Sequence, residues 1–165
     1  MGNEAFSHLD PDGKARMVDI SEKQDSKRIA RARVAVSMAK ETVLALKKGD
    51  VPKGDVFAVA RVAGIQAAKR TGEIIPLCHP LMLSSVTVEF EVSDGKVEIE
   101  AEVTTVGRTG VEMEALTACS VSALTIYDMC KSMDKTMEIT DLVLQKRREG
   151  RQAISLDKSP VQALK

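Results

Sequence analysis

The sequence predicts an α+β domain of the ferredoxin-like, split β-α-β type, in which an antiparallel sheet packs on helices. Some segments alternate apolar and polar residues with the period of two that a half-buried strand requires, and others repeat with the 3.6-residue period of a helix. Their order along the chain is strand, helices, strand, strand, helix, strand. With 165 residues, 44% of them hydrophobic, the chain is long and apolar enough for one such core.

The N-terminal half begins with a polar arm, residues 1–27, which is rich in turn-forming Asp, Pro and Gly. Apolar residues at alternate positions of 30–38 then predict the first strand. Valine and leucine at helical spacing predict a short helix over 40–48, which Gly49 and Pro52 end. A longer helix is predicted to start after an Asp cap at residue 55 and to end near residue 72.

The C-terminal half begins with a stiff loop over 74–83, because its two prolines exclude regular structure. Valine alternates with Glu or Thr over 86–92 and 97–103, and the Ser-Asp-Gly turn between these segments predicts a hairpin. A helix follows over 111–133, and the last strand is predicted over 137–145. The single domain therefore spans 28–145, and the polar residues 146–165 predict a mobile basic tail.

Composition excludes several classes of function. Acidic and basic residues balance at 24 each, so the chain has no net positive charge to hold nucleic acid or an anionic membrane. Aromatic residues make up only 2%, too few for a surface that stacks on single-stranded bases. Three cysteines without C-x-x-C spacing favour the cytoplasm and give no metal site. No stretch has the length of a membrane span or the character of a signal peptide.

One cluster of candidate residues directly precedes the longer helix, and another lies in the stiff loop. Lys53 and Gly54 precede a helix N-terminus, where an ammonium group and free N–H groups can bind a phosphate. The same residues also make an ordinary turn into a helix cap. His79 follows Cys78 between two prolines and can exchange a proton near neutral pH. It can equally be a loop residue that hydrogen-bonds to the backbone, with Cys78 as a small apolar side chain.

Two further clusters lie at the two ends of the last helix. Arg108 precedes it and can grip a phosphate, whereas Glu112 and Glu114 in its first turn are also explained by the helix dipole. Asp128 and Lys131 are neighbours on one face and form either a proton-transfer pair or a surface ion pair. Glu114 and Asp128 are roughly 21 Å apart at the rise of an α-helix. One small ligand cannot touch both, so we expect a neighbouring subunit to complete the site.

These clusters belong to longer strings that resemble a known family. The strings occupy residues 17–19, 53–56, 63–71, 75–81, 109–117 and 127–131. With them the chain resembles the MoaC family, the cyclic pyranopterin monophosphate synthases of molybdenum cofactor biosynthesis, over about residues 16–145. Pro-Leu-Cys-His-Pro-Leu and Gly-Val-Glu-Met-Glu-Ala-Leu-Thr are highly specific strings, unlike a short glycine or lysine pattern.

The resemblance implies a cytoplasmic lyase that needs no metal or redox cofactor. Its substrate is the GTP-derived intermediate 3',8-cyclo-7,8-dihydro-GTP, which becomes cyclic pyranopterin monophosphate with release of pyrophosphate. The resemblance also implies a homohexamer of three dimers with pockets between subunits. Asp128 matches the catalytic acid/base and Lys131 its partner. The positions that match substrate contacts are Leu77, Cys78, His79, Met113, Glu114, Lys53 and Glu112.

One stretch departs from the family. The family's glycine-rich loop after the last strand is replaced here by Lys146-Arg147-Arg148-Glu149-Gly150-Arg151. Lys146 and Arg147 are both candidates for a cation that reaches the triphosphate from a flexible lid. Two alternatives to an enzyme remain open on the residues alone. One is a non-catalytic ferredoxin-like module that binds a nucleotide, against which the Asp128–Lys131 pair argues, and the other is a purely structural oligomer.

Overall fold

The computed structural model describes residues 8–149 and 152–155. Within them the element order is β1 (Ser26–Ser37), α1 (Lys40–Lys48), α2 (Val56–Lys69), α3 (Thr71–Ile74), β2 (Leu83–Ser93), β3 (Lys96–Gly107), α4 (Glu112–Cys130), β4 (Glu138–Glu149) and β5 (Gln152–Ser155). The strands form one antiparallel sheet in the order β2-β3-β1-β4-β5. This arrangement confirms the predicted ferredoxin-like α+β fold.

One face of the sheet is buried and the other is open. On β1 and β3 the residues that face the helices pair across the strands, with Val34 opposite Ile99 and Ala32 opposite Ala101. All four are at most 1% exposed. Arg31, on the open face, bonds Glu102 at 2.7 Å between Nη2 and Oε2. On β1 and β3 the alternation in the sequence therefore predicted correctly which side of the strand meets the core.

Helices α2 and α4 pack against each other through small residues. Ser122 of α4 donates a hydrogen bond to the Ala60 carbonyl of α2 at 3.0 Å. A Cβ atom added to Gly64 would overlap Ser122 Oγ and would lie 3.0 Å from the Ala118 carbonyl oxygen and 3.2 Å from Val88 Cγ2. The alanine-rich composition of α2 thus reflects a close approach of the two helices.

The N-terminus of α1 is held by a carboxylate from a distant loop. Asp134, which is 5% exposed, accepts hydrogen bonds from the Ala39 N–H at 2.7 Å and the Thr42 hydroxyl at 3.2 Å. It also accepts from the N–H and hydroxyl of Thr136. These donors lower the pKa of Asp134 to about 2, with the Ala39 N–H as the main cause. The loop after α4 is therefore fixed to the start of α1.

Several predicted boundaries are wrong by a few residues. Strand β1 begins at Ser26, inside the predicted arm, and α4 ends at Cys130, three residues early. Strand β4 continues to Glu149 because residues 146–149 pair with both β1 and β5. The predicted tail therefore starts inside the sheet, and β5 was not predicted. The remainder of that tail and residues 1–7 of the arm lie outside the described residues.

No helix in the described part of the chain has the length and apolar character to cross a membrane.

Candidate active site

A cavity of about 340 Å³ lies at the N-terminal end of α4. It is lined by six of the residues predicted to contact substrate: Leu77, Cys78, His79, Glu112, Met113 and Glu114. The first three come from the proline-bounded loop and the last three from the first turn of α4. The structure thus brings together two clusters that are more than thirty residues apart in the sequence.

The loop that carries His79 is held in place at both ends. The Ile75 N–H donates to the Thr71 carbonyl at 2.9 Å, and the Cys78 N–H donates to the Ile75 carbonyl at 3.1 Å, which makes a tight turn. The His79 ring then bonds the main-chain carbonyl of Val18, with 2.8 Å between Nε2 and the oxygen. The loop and the N-terminal arm therefore meet at the cavity.

Glu114 is the most buried ionisable residue of the cavity, at 3% exposed. Burial raises its pKa to about 7, the negative charge of Glu112 adds to this, and a backbone N–H opposes it. Burial and the nearby Glu114 charge also raise the pKa of the Cys78 thiol. Cys78 is therefore a neutral thiol and a poor nucleophile at neutral pH. Glu114, in contrast, can both bind and release a proton there.

A second cluster lies at the C-terminal end of α4, around Asp128. Lys131 Nζ is 2.7 Å from Asp128 Oδ1, and Lys53 Nζ is 2.8 Å from Oδ2. Lys53 also donates to the main-chain carbonyl of Asp128 at 3.0 Å, so it satisfies one of the free carbonyls at the helix end. The carboxylate that the helix dipole disfavours is thus compensated by two cations.

The protonation state of this cluster follows from its contacts. Hydrogen bonds from Lys131 first, and from Lys53 second, lower the pKa of Asp128 to about 2. The same bond to Asp128 raises the pKa of Lys131. At neutral pH Asp128 is therefore ionised and Lys131 protonated. With Lys53 the three groups carry a net charge of about +1, which favours an anion.

Lys53 reaches Asp128 from a turn that also forms the cap of α2. The Gly54 N–H donates to the Val51 carbonyl at 3.0 Å, and Gly54 adopts a φ of 94°, which a side chain would disfavour. Asp55 Oδ1 accepts the Ala58 N–H at 3.0 Å and caps the helix. The turn into the helix cap that the sequence predicts is therefore present, and it places Lys53 against Asp128.

The two clusters lie at opposite ends of the same helix, as predicted. Helix α4 has 19 residues, so its ends are roughly 28 Å apart. Asp128 and Lys131 are thus brought to Lys53 but not to the cavity residues of the same chain. Arg108, a candidate for phosphate, contacts the arm instead: its Nη1 donates to the Ser21 carbonyl at 3.1 Å, and its Nε lies 3.4 Å from Asp25 Oδ1.

Sequence reasoning missed the part of the cavity that the arm supplies. His8, Val18, Ile20 and Lys23 also line it. The Met-Val-Asp string at 17–19 was the available signal, because it is the only motif in an otherwise polar arm. The backbone of Lys146 and Arg147 lies in β4, but the predicted reach of their side chains falls outside what the structure describes. Within residues 8–149 and 152–155, no three His, Cys, Asp or Glu side chains converge as metal ligands would.

Comparison with known proteins assigns this arrangement to a family. The MoaC family model matches residues 17–150. A "cyclic pyranopterin monophosphate synthase" of Roseiflexus sp. (strain RS-1) is 56% identical over 148 residues, which cover 88% of this chain and 94% of that protein. The protein of the same name from Peptoclostridium acidaminophilum is 51% identical over 88% of this chain and 93% of its own length. "Cyclic pyranopterin monophosphate synthase 1" of Mycobacterium bovis (strain ATCC BAA-935 / AF2122/97) is 54% identical over 91% of this chain and 89% of its own.

Proposed function

The chain belongs to the MoaC family, and we propose that its residues catalyse the formation of cyclic pyranopterin monophosphate as described below. It is a lyase of molybdenum cofactor biosynthesis that forms cyclic pyranopterin monophosphate, the product named in its relatives. The substrate is 3',8-cyclo-7,8-dihydro-GTP, and pyrophosphate is released. The observation that carries the proposal is the position of Asp128 between Lys131 and Lys53, at 2.7 and 2.8 Å.

The Asp128 cluster suits the phosphate chemistry of this reaction. Cyclisation on the α-phosphate builds negative charge on the phosphate and on the leaving pyrophosphate, and fixed ammonium groups stabilise that charge. Asp128 holds both ammonium groups within hydrogen-bond distance of one carboxylate. Lys131 is protonated and can donate a proton, while ionised Asp128 can accept one after a phosphate draws the lysines away.

The cavity suits the base of the substrate. A guanine-derived ring has N–H groups that can donate hydrogen bonds to carboxylates. Glu112 and Glu114 lie together in the cavity wall and carry such carboxyl groups. Rearrangement of the ring system requires proton transfers, and both Glu114 and His79 are placed for them. Because the pKa of Glu114 is about 7, this carboxyl is partly protonated at neutral pH.

We further propose that the complete site forms between two copies of the chain. The cavity and the Asp128 cluster each match part of the substrate, yet α4 separates them by its whole length. A neighbouring subunit that presents its own Asp128 cluster to the cavity would complete the site. A homohexamer built of three dimers fits this requirement, and Lys146 or Arg147 is a candidate for a further contact to the triphosphate. Three free cysteines are compatible with a proposed cytoplasmic location.

The first experiment is conversion of the purified cyclised intermediate by the wild type and by Asp128→Ala and Lys131→Ala. We expect each variant to lose roughly 100-fold or more in turnover, the usual cost of removing a general acid or base. The exposed pair Lys40–Asp94, with 3.1 Å between Nζ and Oδ2, provides matched controls. Lys40→Ala and Asp94→Ala should retain wild-type turnover.

The other outcomes separate the alternatives. A wild type that binds the intermediate without converting it would support the non-catalytic nucleotide-binding module. No selective binding at all would favour a purely structural oligomer. Equal turnover by wild type, Asp128→Ala and Lys131→Ala would show that these two residues are not essential for catalysis, and the cavity residues would then be the candidates.

A further inference from the structure

The hydrogen bond between His79 and the arm determines which ring nitrogen carries a proton. Val18 contributes a main-chain carbonyl, which can only accept a hydrogen bond. Because His79 Nε2 lies 2.8 Å from that oxygen, Nε2 must carry the hydrogen. A neutral imidazole then has its free lone pair on Nδ1. Within the described residues Nδ1 makes no hydrogen bond, and the ring lines the cavity.

The arm segment that follows Val18 is held by a small network of hydrogen bonds. Asp19 Oδ1 accepts the Ser21 N–H at 2.9 Å and the Ser21 hydroxyl at 2.6 Å, which closes a turn directly after Val18. Arg108, just before α4, donates to the Ser21 carbonyl at 3.1 Å and pairs with Asp25 at 3.4 Å. The arm segment is thus attached both to its own turn and to the domain.

Titratable groups face His79 or its cavity from the arm, the loop and α4. Asp19 lies near it in the arm, and the ionised form of Asp19 interacts with both His79 and Arg16. Lys23 and His8 face the cavity from the arm, Cys78 from the loop, and Glu112 and Glu114 from α4. A ring in such surroundings could rotate to bond a carboxylate, so the Val18 contact is what selects one orientation.

We propose that the N-terminal arm is a positioning element of the active site: the Val18 carbonyl, which directly precedes the turn that Asp19 closes and Arg108 attaches to the domain, fixes His79 with Nδ1 toward the cavity as a proton acceptor. The catalytic consequence rests on the proposed function, whereas the orientation itself does not. When Nδ1 takes a proton from the substrate, the ring becomes an imidazolium that keeps its Nε2–H bond to Val18. The fixed carbonyl also stabilises that charge, and the proton returns to the substrate from the same nitrogen.

The test combines NMR and turnover on the full chain. Protein with ¹⁵N-labelled histidine rings has only two ring systems, His8 and His79, and His8→Gln identifies the His79 signals. We expect His79 Nε2 to carry a hydrogen-bonded proton and Nδ1 to show the shift of an unprotonated nitrogen. In Asp19→Ala, the Nε2 proton signal should broaden through solvent exchange, and turnover should fall roughly tenfold or more because the base is misplaced.

The arm offers a matched control. Asp10 makes the same kind of turn further upstream, where its Oδ1 accepts the N–H groups of Asp12 at 3.0 Å and Lys14 at 2.8 Å. Asp10→Ala should keep both the His79 signal and wild-type turnover. A proton on Nδ1 instead of Nε2 in the wild type would overturn the proposal. The proposal would also be overturned if Asp19→Ala lost the Nε2 proton signal of His79 but kept wild-type turnover, or lost turnover but kept the signal.

The same experiment distinguishes this proposal from the proposed function. If the wild type fails to convert the intermediate, the proposed function is wrong, but the NMR signal still reports the orientation of His79. If the wild type converts the intermediate and Asp19→Ala does so equally well, only the positioning role of the arm is wrong.

Discussion

Two carboxylates at the ends of one helix have opposite protonation behaviour because their surroundings differ. Asp128 accepts hydrogen bonds from two lysines, and its pKa is lowered to about 2. Glu114 is buried beside another acid, and its pKa is raised to about 7. Groups with such separated pKa values can serve as proton acceptor and proton donor at the same pH. The difference arises from residues that are distant in sequence.

The raised pKa of Glu114 predicts a pH-dependent gain in stability when it is replaced by Gln. Between pH 4.5 and 7 the folded chain keeps the Glu114 proton that the unfolded chain loses, so the wild type becomes less stable as pH rises. Glu114→Gln removes this penalty. Relative to wild type it should gain up to about 3 kcal/mol on going from pH 4.5 to pH 8.

Urea denaturation at several pH values measures this difference. Glu91→Gln, at an exposed position on β2, controls for the loss of one negative charge. A stability difference between Glu114→Gln and wild type that stays constant from pH 4.5 to 8 would contradict the raised pKa.

At the scale of single residues, the sequence identified the candidate site residues better than it predicted their burial and their contacts. The six cavity residues and the Asp128–Lys131 pair were all selected from local patterns and from the family resemblance. The burial of Glu114 was not predictable, because an acid in the first turn of a helix is usually exposed. Nor was the contact of Lys53 with Asp128, which joins residues 75 positions apart. Such contacts depend on how the elements pack.

At the scale of the elements, the close contact of α2 with α4 predicts an unusual effect on stability: replacing a helix glycine by alanine should destabilise the chain. Gly64→Ala in a free helix would be stabilising by about 1 kcal/mol. Here the added methyl group would overlap Ser122 Oγ and crowd the backbone of α4. We therefore expect Gly64→Ala to destabilise the chain by about 1–3 kcal/mol, the usual cost of overpacking.

The midpoint of urea unfolding at constant m-value reports this change. The double variant Gly64→Ala/Ser122→Ala removes the closest obstacle, so it should be affected less than the sum of the two single variants. A higher unfolding midpoint for Gly64→Ala than for wild type would show that the helices are not in close contact.

Regular elements were predictable where one periodicity dominates. Helix α1 spans the predicted residues 40–48, and the β2–β3 hairpin has its turn at Asp94-Gly95, because alternation and turn residues agree there. The end of β4 was missed because charged residues 146–149 show no apolar alternation. These residues are nevertheless paired on both sides, and a central position in a sheet supports a strand that composition alone does not indicate.

For the molecule as a whole, the proposed site between subunits predicts complementation. Glu114→Ala and Asp128→Ala should each be inactive alone. After subunit exchange, half of the dimers are mixed and one of their two sites is intact, so about a quarter of wild-type activity should return. Conversion of the cyclised intermediate measures the recovery.

A mixture of Asp128→Ala with Lys131→Ala is the matched control, because both changes damage the same helix end. It should recover no activity. If exchange is verified with differently tagged chains and the first mixture also stays inactive, the site does not combine the two helix ends of neighbouring subunits.

The order of elements was sufficient to predict the ferredoxin-like topology, since strand and helix periods alternate clearly along the chain. The assembled site was only partly predictable. The length of α4 showed from the sequence that its two ends cannot meet within one chain, but which surface of a neighbour would complete the proposed site depends on packing between chains. The arm's contact with His79 was also hidden, because it involves a main-chain carbonyl and not a distinctive side chain.

The composition around the Asp128 cluster gives this chain a built-in optical probe. Tyr127 is the only tyrosine, and the sequence has no tryptophan. It lies on α4 beside Asp128, whose carboxylate bonds Lys53 and Lys131. Intrinsic fluorescence therefore comes from a single position next to the proposed phosphate contacts, and arrival of a ligand there can be followed by its emission without any label.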